Sequence, residues 1–239
     1  MRQNKLYLTI FTCGLIFLTG QAESATIKGT VRYEGDVPKF KEIRMDADPI
    51  CLTHHSQPVY PQSLVLGENK AMANVFVHIT QGILEKDYPI SSEEVILDQK
   101  GCLYEPHVVG VRIGQSMKIL NPDGTLHNVH AKAKVNEEFN VAMPKFRKEI
   151  SKTFDKAEFM FSIKCDVHPW MLAWVAVMPH PYFAVTKTDG RYVIADLPPG
   201  EYEIEVWHER LGTQTRKVSL VEAETKEIDF TFLPPVSQK

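Results

Sequence analysis

The sequence predicts an all-β chain, and three observations carry that expectation. Apolar residues recur at every second position in short runs, as in Ile27, Gly29, Val31 and Tyr33. That is the period of a strand with one buried face. The 13 glycines and 15 prolines are scattered at turns between such runs. Apolar spacings of three and four residues, sustained over a helix length, are scarce.

The bulk properties set bounds. A chain of 239 residues makes one large β domain or two small ones. Its apolar content of 44% is ordinary for a globular protein with a full core. The formal net charge is −3, and losing residues 1–25 removes Arg2, Lys5 and Glu23 to leave −4. So weak an acidic balance gives nucleic acid nothing to bind. Residues 1–25 read as a signal peptide. Arg2 and Lys5 precede the apolar run Leu6–Gly20, and small residues then allow cleavage after Ala22 or Ala25. The rival is an uncleaved anchor, but a run of about 15 residues is short for a bilayer. With no other spanning stretch, the expectation is an exported, periplasmic-type protein without a membrane span after cleavage.

Each element follows in order. Residues 26–34 form a strand that Gly35-Asp36-Val37-Pro38 ends. Residues 36–70 are irregular, a long ordered loop pinned at Cys51. Residues 73–79 form a strand with Val75 and Val77 on one side and Phe76 and His78 on the other; a lone strand histidine is usually structural. Residues 81–92 connect, with Pro89 among them. Strands follow at 94–98, 108–113 and 117–120, the last two around Gly114-Gln115. His127 opens another. Residues 131–157 are more charged, and Lys145, Arg147, Lys148 and Lys152 read as a solvated strand face or a dock for an acidic partner. Phe159, Phe161, Ile163 and Cys165 share parity, so one strand points all four at the core. Residues 172–178 are again apolar. Thr188-Asp189-Gly190-Arg191-Tyr192 and Leu197-Pro198-Pro199-Gly200-Glu201-Tyr202 are turns feeding strands, and residues 218–232 supply one or two more.

The chemistry concentrates in Cys165-Asp166-Val167-His168-Pro169-Trp170-Met171, with a second imidazole at His127. Two His, one Cys and a more weakly bound Met are the donors of a trigonal copper centre suited to electron transfer. The competing reading is a buried cysteine with ordinary histidines. The loop resembles that of the cupredoxins, the blue copper proteins, and His127-Asn128-Val129 resembles their first ligand with the Asn that braces it. Tyr104-Glu105-Pro106, Ile113-Gly114 and Asn121-Pro122-Asp123 are similar to the strands before that ligand. The resemblance, over residues 93–179, implies a Greek-key β-sandwich holding one mononuclear copper. His127 and His168 would lie in the plane with the Cys165 thiolate, Met171 would be axial and Asn128 would link the two ligand loops. It also implies that His168 reaches the surface as the electron port, with Pro169 and Trp170 as an apolar docking patch; core packing is the equal alternative for Trp170. A redox protein such as a c-type cytochrome or a periplasmic dehydrogenase would be the partner. Copper storage, delivery or sensing is the second reading, and a structural envelope protein the third.

Cys13 leaves with the signal, so if Cys165 is a metal thiolate, Cys51 and Cys102 remain and an exported chain favours a Cys51–Cys102 disulfide. The rivals are free thiols, or a second metal site of Cys51, His54 and His55 with Cys102 or His107. The outer segments resemble a carboxypeptidase regulatory-like, transthyretin-like β-sandwich, through Gly29-Thr30-Val31, Ala73-Asn74-Val75-Phe76-Val77 and the two turns after residue 187. That family implies a scaffold without chemistry. The chain divides into 26–92, a copper module at 93–180, and 181–239, with the module inserted or in tandem. Enzyme signatures are missing: the blue-site Cys165 is flanked by Lys164 and Asp166 instead of the histidines that wire it to a second copper in multicopper oxidases and copper nitrite reductases, no His-Glu-x-x-His pair occurs, and no phosphate loop or nucleophile elbow appears. An electron carrier is expected rather than a catalyst.

Overall fold

A computed structural model describes residues 23–234. Residues 1–22, and with them most of the expected targeting signal, lie outside the described residues. Ala25 is buried, opens the first strand and pairs with Leu197. A cut after Ala22 would leave that pairing in place, whereas a cut after Ala25 would remove it. Among the described residues no helix is long and apolar enough to cross a membrane.

The described chain is strand almost throughout. β1 (Ala25–Tyr33) is followed by a short helix, α1 (Pro49–Thr53), and a 3₁₀ turn at Glu68–Lys70. Then come β2 (Phe76–Gln81), β3 (Val95–Gln99), β4 (Tyr104–Glu105), β5 (Val108–Arg112), β6 (Met117–Leu120), β7 (His127–Ala131), β8 (Phe139–Met143), β9 (Glu149–Lys152), β10 (Glu158–Lys164) and β11 (Leu172–Met178). The last are β12 (Phe183–Val185), β13 (Arg191–Leu197), β14 (Gly200–His208), β15 (Gly212–Leu220), β16 (Thr225–Glu227) and β17 (Phe230–Phe232).

Four sheets make two sandwiches. One pairs a sheet of β13, β1, β16 and β17 with a sheet ordered β12-β2-β14-β15. The other pairs β5-β11-β10-β7-β8 with β4-β3-β6-β9. The chain starts in the first sandwich, builds the second without interruption from β3 to β11, and returns, so the second is inserted into the first. Each closes over its own apolar core. Ile27, Val75, Ile204 and Phe230 belong to one, and Leu97, Ile119, Ile163 and Val175 to the other. The alternating burial of β1 and β14 is the strand periodicity of the sequence made visible.

The outer faces of β5 and β11 also pack on β2, β12 and β14. Phe76, Val108, Ala176 and Met178 form a third cluster there, edged by Trp174, Phe183 and Trp207. Gly110 permits the approach: a Cβ on it would lie 2.4 Å from the Phe183 ring. Beside this cluster, Glu209 accepts from Trp174 Nε1 at 3.0 Å and pairs with His107 Nε2. Burial opposes the Glu209 charge, but the hydrogen bond and charge of His107 hold its carboxyl below the usual range.

The parity expected for β10 breaks. Met160 takes a left-handed φ of +54° and the register with β11 slips between Glu158 and Phe161. This bulge turns Phe161 and Ile163 into the core but sends Phe159 out at 40% exposure. The Phe159 ring then stacks 4.8 Å from His78 and meets Phe76 and Trp207 of the other sandwich. The loop expected at 36–70 is ordered as a cap that includes α1. Asp48 is its N-cap and Pro49 follows, the usual order for a helix start.

Candidate metal centre

β7 and β10 lie side by side, with Lys164 opposite His130. That pairing brings the start of β7 to the end of β10 and fixes where two of the donors sit. Between β10 and β11 the chain folds back, as the Cys165 amide donates to Met171 O at 3.3 Å and the Met171 amide to His168 O at 2.9 Å. Asn128 ties β7 to this loop. Its Oδ1 accepts from the Asp166 and Val167 amides at 2.6 and 3.3 Å, while its Nδ2 donates to Asn140 Oδ1 and Asp166 Oδ2. Tyr104 donates its hydroxyl proton to Asn128 O at 2.7 Å, so β4 also supports the joint.

Three donors converge. His127 Nδ1 lies 2.9 Å from His168 Nδ1, and Cys165 Sγ lies 3.8 Å from His168 Nδ1. One atom from each of His127, Cys165 and His168 falls within 4.8 Å of the others. Met171 is wholly buried in the cluster that contains Cys165. The Cys165 sulfur also receives the amides of Asn128 and His168 at 3.5 and 3.4 Å. Both Nε2 atoms face carboxylates: His127 meets Asp123 Oδ2 and His168 meets Asp48 Oδ2, each at 3.0 Å. An imidazole that donates Nε2–H keeps its Nδ1 lone pair for a cation. The donor set therefore fits a soft-to-borderline transition metal.

The charges of the pair favour a thiolate beside an imidazolium, whose His127 proton a bound metal would displace. Burial opposes the thiolate, yet His127, His168 and the two amides bring the Cys165 thiol down to about 6. Burial likewise opposes the imidazolium, but Asp123 and the Cys165 sulfur raise His127 to about 8. Asp123 stays below the usual carboxylate range despite its burial, because His127 and the Cys102 and Gly101 amides donate to it.

The surroundings correct one expectation. His168 is not a surface port: it is 2% exposed. The cap lies over it, with Asp48 on Nε2 and Cys51 Sγ 3.6 Å from the same atom. Met45 from the cap is buried in the core cluster that holds Cys165. Cys51 and Cys102 are bonded to each other, with Cα atoms 5.5 Å apart, so neither offers a thiolate to a second metal. Of the imidazoles in that rival site, His55 Nε2 is taken up by Gly101 O at 2.7 Å and His107 by the Glu209 seam. Pro169 is exposed, whereas Trp170 is half-buried. The Trp170 indole donates to Cys102 O at 3.0 Å and its ring lies 5.1 Å from that of His168.

Sequence reasoning missed two residues here, Asp48 and Asp123. The order Asp48-Pro49 signals a helix start, but nothing local shows that one oxygen of the cap reaches an imidazole 120 positions away.

Residues 174–233 match the carboxypeptidase regulatory-like domain family. No curated protein sequence matches the chain. Among solved structures, similar folds include a copper-containing nitrite reductase from Thermus scotoductus SA-01, at 17% identity and TM-score 0.34 over 41% of this chain. The chain spans a quarter of that enzyme's length, 25%. A purple cupredoxin from Nitrosopumilus maritimus is 17% identical, with TM-score 0.30 over 35% of this chain and 99% of its own. A Cu(I) form of an amicyanin mutant is 25% identical, with TM-score 0.33 over 43% of this chain and 98% of its own.

Proposed function

We propose that this chain is an exported protein that binds one copper at His127, Cys165, His168 and Met171 and carries single electrons between redox proteins. The convergence of the His127 and His168 Nδ1 atoms with the depressed Cys165 thiol carries the reading. A copper held there would supply one-electron redox chemistry. The chain's own part is to hold a thiolate and two imidazoles in a fixed arrangement, braced by Asn128 and shut from water. Such pre-organisation keeps rearrangement small between the two oxidation states. The closed cap also separates this reading from copper storage or delivery, which needs a donor position open to exchange. The regulatory-like sandwich is a scaffold, and the chain is a carrier rather than a catalyst. Its partner, a c-type cytochrome or periplasmic dehydrogenase, would meet the cap and the exposed Pro169 instead of the His168 edge.

The test is the visible and electron-paramagnetic spectrum after one equivalent of Cu(II). An intense thiolate charge-transfer band is expected, and Cys165→Ser should abolish it. Copper bound without that band moves the chain to metal handling, and a band that survives in Cys165→Ser removes the centre as drawn.

A further inference from the structure

We infer that Asp48 is a positioning residue for the centre: carried over the ligand loop by a disulfide-stapled cap, its carboxylate holds the His168 ring with Nδ1 turned toward Cys165 and His127. The metal side of this inference rests on the copper reading; the ring geometry stands without it.

The two oxygens of Asp48 divide their work. Oδ1 caps α1 by accepting the Ile50 amide at 2.9 Å. Helix capping needs only that one. Oδ2 is left to accept from Thr125 Oγ1 at 2.7 Å and to face His168 Nε2 at 3.0 Å. Thr125 sits two residues before His127, so the same oxygen touches both ligand-bearing segments. The arrangement is paired on the other imidazole. Asp123 faces His127 Nε2 and is itself fixed by the Gly101 and Cys102 amides at 3.0 and 2.8 Å. Asp48 stands three residues before Cys51, and Cys102 donates its amide to Asp123. The Cys51–Cys102 bond thus joins the segment that carries Asp48 to the segment whose amides hold Asp123. Each ring faces an anion at Nε2, the edge away from the converging Nδ1 atoms, and the covalent link ties Asp48's segment to the amides that fix Asp123.

Two effects follow. An anion on Nε2–H raises the basicity of Nδ1. That favours the more highly charged oxidation state, so removing the charge should favour Cu(I). The cap also keeps His168 out of any docking interface.

The experiment compares the full chain with Asp48→Asn and Asp48→Ala. In the metal-free protein, long-range ¹⁵N–¹H correlation reads the His168 tautomer at a pH where the ring is neutral. Wild type should carry the proton on Nε2, and Asp48→Ala should give a mixture of tautomers. If Asp48→Ala does not fold, Asp48→Asn decides, with a weakened Nε2–H···O bond and a partial mixture. In the copper-loaded protein both variants should keep the thiolate band. Cu(II) affinity should fall about 10- to 100-fold, with Cu(I) affinity less affected. Each tenfold in that preference is about 59 mV upward in potential for one electron. A wild-type ring protonated on Nδ1, or a tautomer indifferent to Asp48, overturns the inference whatever copper does. A tautomer set by Asp48 in a chain that binds no copper leaves the positioning role standing and removes the proposed function instead.

Discussion

His127 in the inserted sandwich and His208 in the scaffold sandwich are equally shut from solvent, at 0% and 1% exposure. Their chemistry is opposite. Burial pushes His208 down to about 4, and its Nε2 has no hydrogen-bond partner. His180, also on the scaffold side, is pushed to about 4 by burial, with His78 and Arg112 adding to it. His127 meets the same burial, but Asp123 and Cys165 carry it up to about 8. For the equally buried His127 and His208 rings depth does not decide the outcome; the groups placed against them do. At His208 and His180 burial holds the scaffold imidazoles toward their neutral form. Around His127 the inserted sandwich spends core space on a carboxylate and a sulfur, and both have partners there.

The largest expected effect tests that dependence. Asp123→Ala leaves His127 Nε2 and the Gly101 and Cys102 amides facing a buried void. Removing one partner of a buried charged pair costs about 3–5 kcal/mol. Urea unfolding of the metal-free protein measures it. A loss below about 1 kcal/mol would show that water replaces the carboxylate, and the contrast between the two sandwiches would weaken.

The seam between the sandwiches gives a smaller effect. Glu209→Gln keeps an oxygen for Trp174 Nε1 but removes the charge from His107. Hydrogen bonds to charged groups contribute about 1.5–3 kcal/mol, and unfolding followed separately by tryptophan fluorescence and far-ultraviolet dichroism should show a loss of that size. No loss would mean that the apolar cluster around Phe76 and Met178 alone holds the seam.

What the sequence made legible divides along the same line. Cys165, His168 and Met171 lie close in sequence on one hairpin loop, and the combined motif with His127, through the cupredoxin resemblance, grouped them as one donor set. Asn128 was legible as a neighbour of His127. The all-β class and the strands of both sandwiches followed from alternation. Asp48 was not legible, because its role depends on a cap that folds across the chain, and residues 36–70 have no strand periodicity to place them. His168 was expected at the surface because the cupredoxin resemblance implied it, and nothing in the loop itself says what covers it. Phe159 was misplaced by a single left-handed residue, Met160, and a β-bulge at a non-glycine residue leaves no mark in apolar alternation.

The smallest effect sharpens the comparison from the scaffold side. The His208 ring is neutral when folded, with a value near 4 against an ordinary 6.5. Between those values the unfolded chain binds a proton that the folded chain refuses. Stability from this residue is therefore level above about pH 6.5 and falls as pH drops toward 4. His208→Leu fills similar space without the orphaned Nε2, so it should change stability at pH 7 by no more than about 1 kcal/mol. Its denaturation midpoint should fall less steeply than wild type between pH 6.5 and 4, with His180, His78 and lowered carboxylates such as Glu209 contributing to the remaining slope. An acid slope unchanged from wild type would mean that water reaches the His208 ring when the protein is folded. Burial of an unpartnered Nε2 would then not be what separates His208 from His127.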